Sequence, residues 1–362
     1  MYVYFFFIRF SHISAAQTIL LGKPILHGGI SIKGNLVFIL MTLAALCIPV
    51  FGQMTTANSC EIRGQVAGYA NYMSNLVDNS FTWNPLNFAG FFYDIKKDLG
   101  TETLKLVLTG DNKLSGDAPY GITYTTTYQD KNYERDLWGS YHLIGFLGKP
   151  YFAGYGWGTT DASNMFYSES TDKSSLSSEQ LEPILIDSKD EMIVSSDTPL
   201  KLREGYELVL KLIDTKGMYL ELSKNGQVVD SKVISPSKEG ATEVDKTYWY
   251  KNPAVGEQKK LVTIGVHFKN AIGIQNKTVA TVDGEWQISD TPLAIKADTQ
   301  YDKMTIRTVD ATAGVITMDN KDNAITLSKN KETTLMPGIN LRTADNDTLR
   351  FYIYSEGNCQ CG

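Results

Sequence analysis

The 362-residue chain is 43% hydrophobic and carries 34 basic against 40 acidic residues. That length and apolar content suffice for two domains with cores of their own. An acidic balance without a basic stripe excludes the footprint of a nucleic-acid-binding surface.

The first 52 residues contain Arg9, Lys23 and Lys33 and no acid, which leaves 31 basic against 40 acidic residues in the remainder. Residues 36–51, LVFILMTLAALCIPVF, form an apolar run between Lys33 and Gly52. A spanning helix needs about 20 apolar residues and a signal-peptide core about 7–15. The run sits nearer the second, and Pro49 with the small Gly52 suits the approach to a cleavage site. Residues 1–52 therefore read as an extension and secretory signal cleaved near Gly52, the other reading being an uncleaved N-terminal anchor. Residues 1–34, with a second aromatic patch at 2–10, read as an upstream over-extension of the reading frame. No second apolar span follows residue 60, so no C-terminal membrane helix is expected.

Beyond residue 60, strand patterns dominate. Residues 61–69 read as a first strand interrupted by glycines. Residues 83–104, WNPLNFAGFFYDIKKDLGTETL, read as an aromatic-rich strand, a polar turn and a second strand with period-2 alternation. The loop at 110–121 contains Asp111, Asn112 and Asp117, whose spacing fits turn chemistry and no EF-hand. Residues 122–128 alternate aromatic or aliphatic residues with Thr, and 141–155 read as a hairpin around Gly-Lys-Pro. Residues 168–178, SESTDKSSLSS, are a polar loop or linker by composition. Leu208, Leu210 and Leu212 share a strand face. Asn225-Gly226, between 218–222 and 227–229, supplies the two positive φ values of a type I′ hairpin turn. Val262, Ile264, Val266 and Phe268 line one face of a later strand. Short strands follow at 304–309, 314–318, 324–327 and 348–354.

Several of these segments carry more than alternation. The gapped run N-F-A-G-F-x-Y-D-I-x-x-D-x-G-T-E-T-L at 87–104 resembles the duplicated S-layer domain of Methanosarcina-type surface-layer proteins. Residues 204–230, with E-G-Y-x-L and L-x-K-N-G-x-x-V-D, resemble the same repeat, as do DGEWQISD at 283–290 and D-T-L-R-F-Y at 347–352. The resemblance covers about residues 61–357, one repeat where the family type carries two. It implies a structural component of the archaeal cell-surface S-layer, exported, packed laterally against other copies or the major lattice protein, and forming a molecular sieve. A secreted or surface-bound glycan-binding or adhesion module, stacking sugars on exposed aromatics, is the alternative from another class.

Candidate chemistry is sparse. Cys47 lies in the signal. Cys60, Cys359 and Cys361 flank the folded body, and in an oxidising exterior Cys60 can pair with Cys359 or Cys361, leaving one thiol for another chain. The C-Q-C-G ending has one intervening residue and no second Cys/His cluster, a poor zinc pattern. His142 and His267 belong to no shared motif; His267 alternates with Val266 and Phe268 and reads as solvent-facing or as a satisfied polar residue. Asp94, Asp98 and Glu102 form no defined acid/base pair, so no catalytic residue, cofactor or metal is assigned. Asn276 and Asn346 head the sequons Asn-Lys-Thr and Asn-Asp-Thr and are candidate N-glycan acceptors.

The expected architecture is all-β: two linked antiparallel β-sandwich subdomains. The first spans 61–182 and is completed by 292–357, the second spans 183–291, and 358–362 form a Cys-containing tail.

Overall fold

Alternating apolar residues bounded by Gly, Asn and Asp turns produce antiparallel sheets throughout. The computed structural model describes residues 58–69, 75–115, 118–156, 165–168, 174–214, 217–253, 255, 261–274 and 277–359. The predicted signal at 36–51 and the loop residue Asp117 lie outside them. Residues 57–362 form one compact unit.

One core lies between two sheets. The first sheet runs in the order Gln300–Tyr301, Met304–Asp310, Val315–Asp319, Gly121–Thr127, Glu102–Val107, Ser80–Trp83. It therefore combines segments nearly 200 residues apart: Thr317 sits opposite Thr125, and Thr125 opposite Thr103. The second sheet pairs Asn58–Arg63 with Arg350–Cys359, which in turn pairs with Ile339–Thr343 and then Glu332–Met336. Trp83, Leu104, Leu106, Tyr124, Met318, Leu341, Phe351 and Ile353 meet in the shared core. Trp83 meets Phe351 edge-on and donates its indole N–H to the Gln65 carbonyl. Arg350–Cys359 extends through residues 358 and 359, so the tail expected at 358–362 begins inside a strand.

A second core lies under the Asn-Gly hairpin. Tyr206–Asp214, Gly217–Lys224 and Gln227–Ile234 form a meander. Asn225 and Gly226 adopt φ of 50° and 82°, the values a type I′ turn requires. Leu208, Leu210, Leu220 and Leu222 pack against Ile264, Val266, Phe268 and Val282 of the opposing sheet.

That opposing sheet has nine strands and crosses the boundary expected between residues 182 and 183. Along its main path the order is Thr247–Lys251, Val262–Ile274, Lys277–Ile288, Gln180–Ser188, Lys149–Tyr155, Ser140–Phe146, Gln129–Asn132. Within Gln180–Ser188, Glu182 and Pro183 pair with Phe152 and Tyr151, whereas Ile184 to Ser188 pair with Ile288 to Glu285. A register shift between Ile184 and Ile186 accompanies the change of neighbour.

Three sequence expectations change here. The aromatic segment after Trp83 is not a strand: Ser80–Trp83 pairs with Glu102–Val107, and residues 84–101 are a long excursion of turns. The 141–155 hairpin turns at Leu147 and Gly148 (φ 52° and 78°), leaving Lys149 and Pro150 in the returning strand. Of the polar stretch 168–178, residues 174–178 dock onto the sheet, since Leu176 and Ser175 are buried and the Ser175 hydroxyl donates to the Glu182 carboxylate, and 169–173 lie outside the described residues.

A third, aromatic core fills the junction, where Trp286 packs against Tyr133, Tyr141 and Phe152 with ring centroids 4.7, 4.9 and 5.9 Å away. Phe166 occupies the space above Gly265, where a Cβ would come within 2.3 Å of its ring. Trp286→Ala is expected to lower unfolding free energy by about 3–5 kcal/mol in urea titration, the range for a large aromatic removed from a tight core. A loss below about 1 kcal/mol, as for a surface change, would contradict this placement.

Candidate functional site

The run 87–104, the strongest motif in the sequence, folds into a loop whose polar residues bind its own backbone. Asn87 accepts from the Asn84 amide and donates to the Thr82 carbonyl. Asp94 accepts from the amides of Lys96 and Lys97, and the Tyr93 hydroxyl donates to Asp98 at 2.5 Å. Phe88 and Phe91 turn into the core. Thr101 shares a hydrogen bond with Thr126 at 2.7 Å and accepts the Gly145 amide at 2.8 Å.

Glu102 is the buried charge at the centre of this arrangement. It is fully shielded from solvent. Its Oε2 accepts the Phe92 amide at 2.8 Å, and its Oε1 accepts the Gly148 amide and the Tyr124 hydroxyl, each at 2.9 Å. Tyr124 in turn accepts the Leu147 amide. One carboxylate thereby ties the motif loop to the tip of the Ser140–Phe146 hairpin. Burial pushes its pKa above the ordinary carboxylate value, and the three donors only partly offset that. Asp94 and Asp98 make turn contacts of their own, so the three acids near one another in sequence have separate structural roles.

His267 is buried rather than solvent-facing. Its Nδ1 contacts Asp283, and Arg135 lies 2.9 Å from Nε2. Arg135 has no acceptor, so Nε2 receives that bond and the proton resides on Nδ1. Arg135 also contacts Asp283 at 3.2 Å and Glu243 at 2.9 Å. Burial is the first cause lowering the His267 pKa, and Arg135 acts in the same direction. His142, stacked on Tyr128 at 3.8 Å, is also held low by burial.

The predicted modification residues are spread apart. Asn346 is exposed, and its Oδ1 accepts the Thr348 amide at 2.9 Å. Asn276 lies outside the described residues, between Ile274 and Lys277, which pair at the end of the long hairpin. Cys60 sits opposite Gly357, and Cys359 sits opposite Asn58 on the same pair of strands. Cys361 lies outside the described residues.

The aromatics of the predicted strand segments occupy cores and offer no stacking platform: Phe88, Phe91, Tyr124, Tyr141 and Tyr155 are all buried. Among the described residues no group of three His, Cys, Asp or Glu side chains suits a metal ion. A cleft of about 280 Å³ beside the motif loop is lined by Asn84, Pro85, Leu86, Tyr93, Asp98, Gly100, Glu102 and Thr103. Both of its carboxylates already accept internal hydrogen bonds, Asp98 from Tyr93 and Glu102 from Phe92, Tyr124 and Gly148.

The outer surface carries a different signal. Ile272 pairs with Val279, and Ile193 pairs with Thr281, which places these side chains on one face. Ile193, Ile272 and Ile274 are 77%, 54% and 49% exposed. Alternation alone did not reveal this face, because a strand's wet side is expected to be polar.

A model described as S-layer protein matches residues 73–345. The chain belongs to the S-layer protein family. Major S-layer proteins of three Methanosarcina species are each 27% identical to it. The match to the M. mazei protein extends over 313 residues, 84% of this chain and 41% of the relative. The M. barkeri match covers 88% and 45%, and the M. acetivorans match 88% and 46%. The chain thus spans less than half the length of each relative. S-layer proteins are components of the cell surface, and the motif loop contributes to this family member as a structural clasp.

Glu102→Ala leaves three buried donors without their acceptor; at about 1–3 kcal/mol each, incompletely additive, the expected loss is about 3–5 kcal/mol by denaturant unfolding. His267 has a folded pKa below its ordinary 6.5, so the unfolded chain binds the proton more readily. Stability is then expected to fall as pH drops from 6.5 through the lower folded value. His267→Gln should flatten that part of the pH profile, leaving the His142 contribution; an unchanged slope would contradict the assignment.

Proposed function

We propose that this chain is a non-enzymatic structural subunit of an archaeal surface layer, packing laterally with itself or with a major lattice protein. The observation that carries this reading is the family match over residues 73–345. The polar residues of the motif serve the fold, which is what a rigid building block requires. The acidic surface favours pores that pass small ions and repel large anions. The exposed face around Ile193, Ile272 and Ile274 offers apolar area for a subunit contact.

Export through the apolar run at 36–51 delivers the chain to an oxidising exterior. There Cys60 pairs with Cys359 or Cys361, and Asn276 and Asn346 carry N-glycans. The antiparallel register of Asn58–Arg63 on Arg350–Cys359 supports the disulfide, since it holds both ends of the folded body on adjacent strands. The exposed turn at Asn346 supports its access to a glycosyltransferase.

Electron microscopy of the purified protein, alone and mixed with isolated native surface-layer fragments, tests the reading. Two-dimensional arrays or incorporation into fragments are expected. A monomer that ignores the lattice and instead binds envelope glycans would overturn it in favour of a binding module.

A further inference from the structure

We propose that Lys131 and Asp187 become joined by an intramolecular isopeptide bond, with Glu134 carrying the protons. Lys131 lies on the edge strand Gln129–Asn132 and Asp187 on Gln180–Ser188, with two strands between them in the sheet order. Their side chains nevertheless meet, Nζ to Oδ2 at 2.5 Å. The two side chains are only 9% and 8% exposed. Among the described ion pairs, this is the one in which both partners are less than one-tenth exposed.

The surroundings supply the parts that amide formation needs. The Glu134 carboxylate lies 3.6 Å from the lysine nitrogen, just beyond hydrogen-bond reach, and a small side-chain rotation brings it onto the proton it has to take. The Glu134 amide donates to Asp187 Oδ1 at 2.8 Å, where negative charge collects when the carbonyl carbon is attacked. The Tyr141 hydroxyl donates to Oδ2 at 3.0 Å. The Tyr141 ring also flanks the ammonium group, 5.4 Å from its centroid, and helps exclude water. Burial holds the Tyr141 hydroxyl in its protonated, donating form.

The chemistry balances without an added reactant. Glu134 removes a proton from the ammonium, and the freed amine attacks the Asp187 carboxyl carbon. A C–N bond forms, and the electron pair of the carbonyl moves onto Oδ1. Glu134 returns the protons taken from nitrogen to Oδ2, the C–Oδ2 bond breaks, and one water departs. An ammonium and a carboxylate have become a neutral amide and water, with no change of oxidation state and with Glu134 and Tyr141 restored. Two features favour the direction. Holding amine and carboxyl in contact provides an effective molarity on the order of 10⁵–10⁸ M, and conversion to an amide removes two charges from a site where each is costly to keep dry.

A second Lys–Asp pair provides an internal comparison. Lys224 and Asp290 also form an ion pair beside a tyrosine hydroxyl, from Tyr206, but the Lys224 side chain is 32% exposed. Water stabilises its ammonium there, so that pair is expected to remain ionic.

The test is a peptide map of the full chain by mass spectrometry, after reduction, alkylation in denaturant and trypsin digestion. The expected product is a branched peptide joining Lys131 to Asp187, lighter by one water than the sum of its parts, with no cleavage after Lys131. Lys131→Arg should abolish it, and the Lys224–Asp290 segments should appear as separate linear peptides. Glu134→Gln, with far-UV circular dichroism verifying the fold, should slow bond formation by about 10²-fold or more, the usual worth of a positioned general base. Separate Lys131 and Asp187 peptides at full mass from folded, long-incubated wild-type protein would overturn the proposal. Linkage at the wild-type rate in Glu134→Gln would overturn the role of Glu134.

Discussion

The divided pairing of Gln180–Ser188 is the constraint on which the other layers depend. Its first half pairs with Lys149–Tyr155 and its second half with Lys277–Ile288, joining both sides into one nine-stranded sheet. Pro183 has no amide hydrogen and is tolerated where the ladder changes partner, beside the register shift, while its carbonyl accepts the Ser289 amide at 2.8 Å. Because backbone hydrogen bonds continue on both sides, separating the two sandwiches requires breaking a sheet rather than parting a side-chain interface. The aromatic core around Trp286 fills the resulting bend.

Buried polar groups then select one packing from the many that an apolar core alone would accept. Glu102 is costly to bury, yet it receives three hydrogen bonds from two loops and one strand. Each of those donors would be unsatisfied in a shifted register, so the carboxylate penalises alternatives more than it adds stability. Arg135 has a comparable role beside the long Val262–Ile274 and Lys277–Ile288 hairpin, bringing His267, Asp283 and Glu243 to one point. These groups resemble catalytic constellations in composition but are already saturated by one another.

The surface divides into guarded and open regions. The edge strand Gln227–Ile234 exposes Val228, Val229 and Val233. Its Asp230 and Lys232 reach back to the Tyr248 hydroxyl and the Trp249 ring. An edge strand with inward-turned charges and a register shift is a poor template for uncontrolled strand addition. The face around Ile272 lacks that protection, and it is the surface on which the proposed lateral packing draws.

What the sequence determined by itself is local. Alternation located most strands and Asn225-Gly226 specified a type I′ turn, because each depends on neighbouring residues and backbone torsions, and the run at 87–104 carried the resemblance to the family that the match over 73–345 shows. The aromatic part of the excursion, residues 84–93, reads as a strand for the same reason: Phe88 and Phe91 look like strand residues until a core contributed by distant segments takes them up. Alternation also could not tell a solvated His267 from one buried against Arg135, 132 residues away in the chain. Only the tertiary structure decided which strands became neighbours, that one sheet crosses the expected boundary, and that Lys131 meets Asp187. Those outcomes rest on long-range pairing, where a strand's own residues state which face is apolar but not which other segment will cover it.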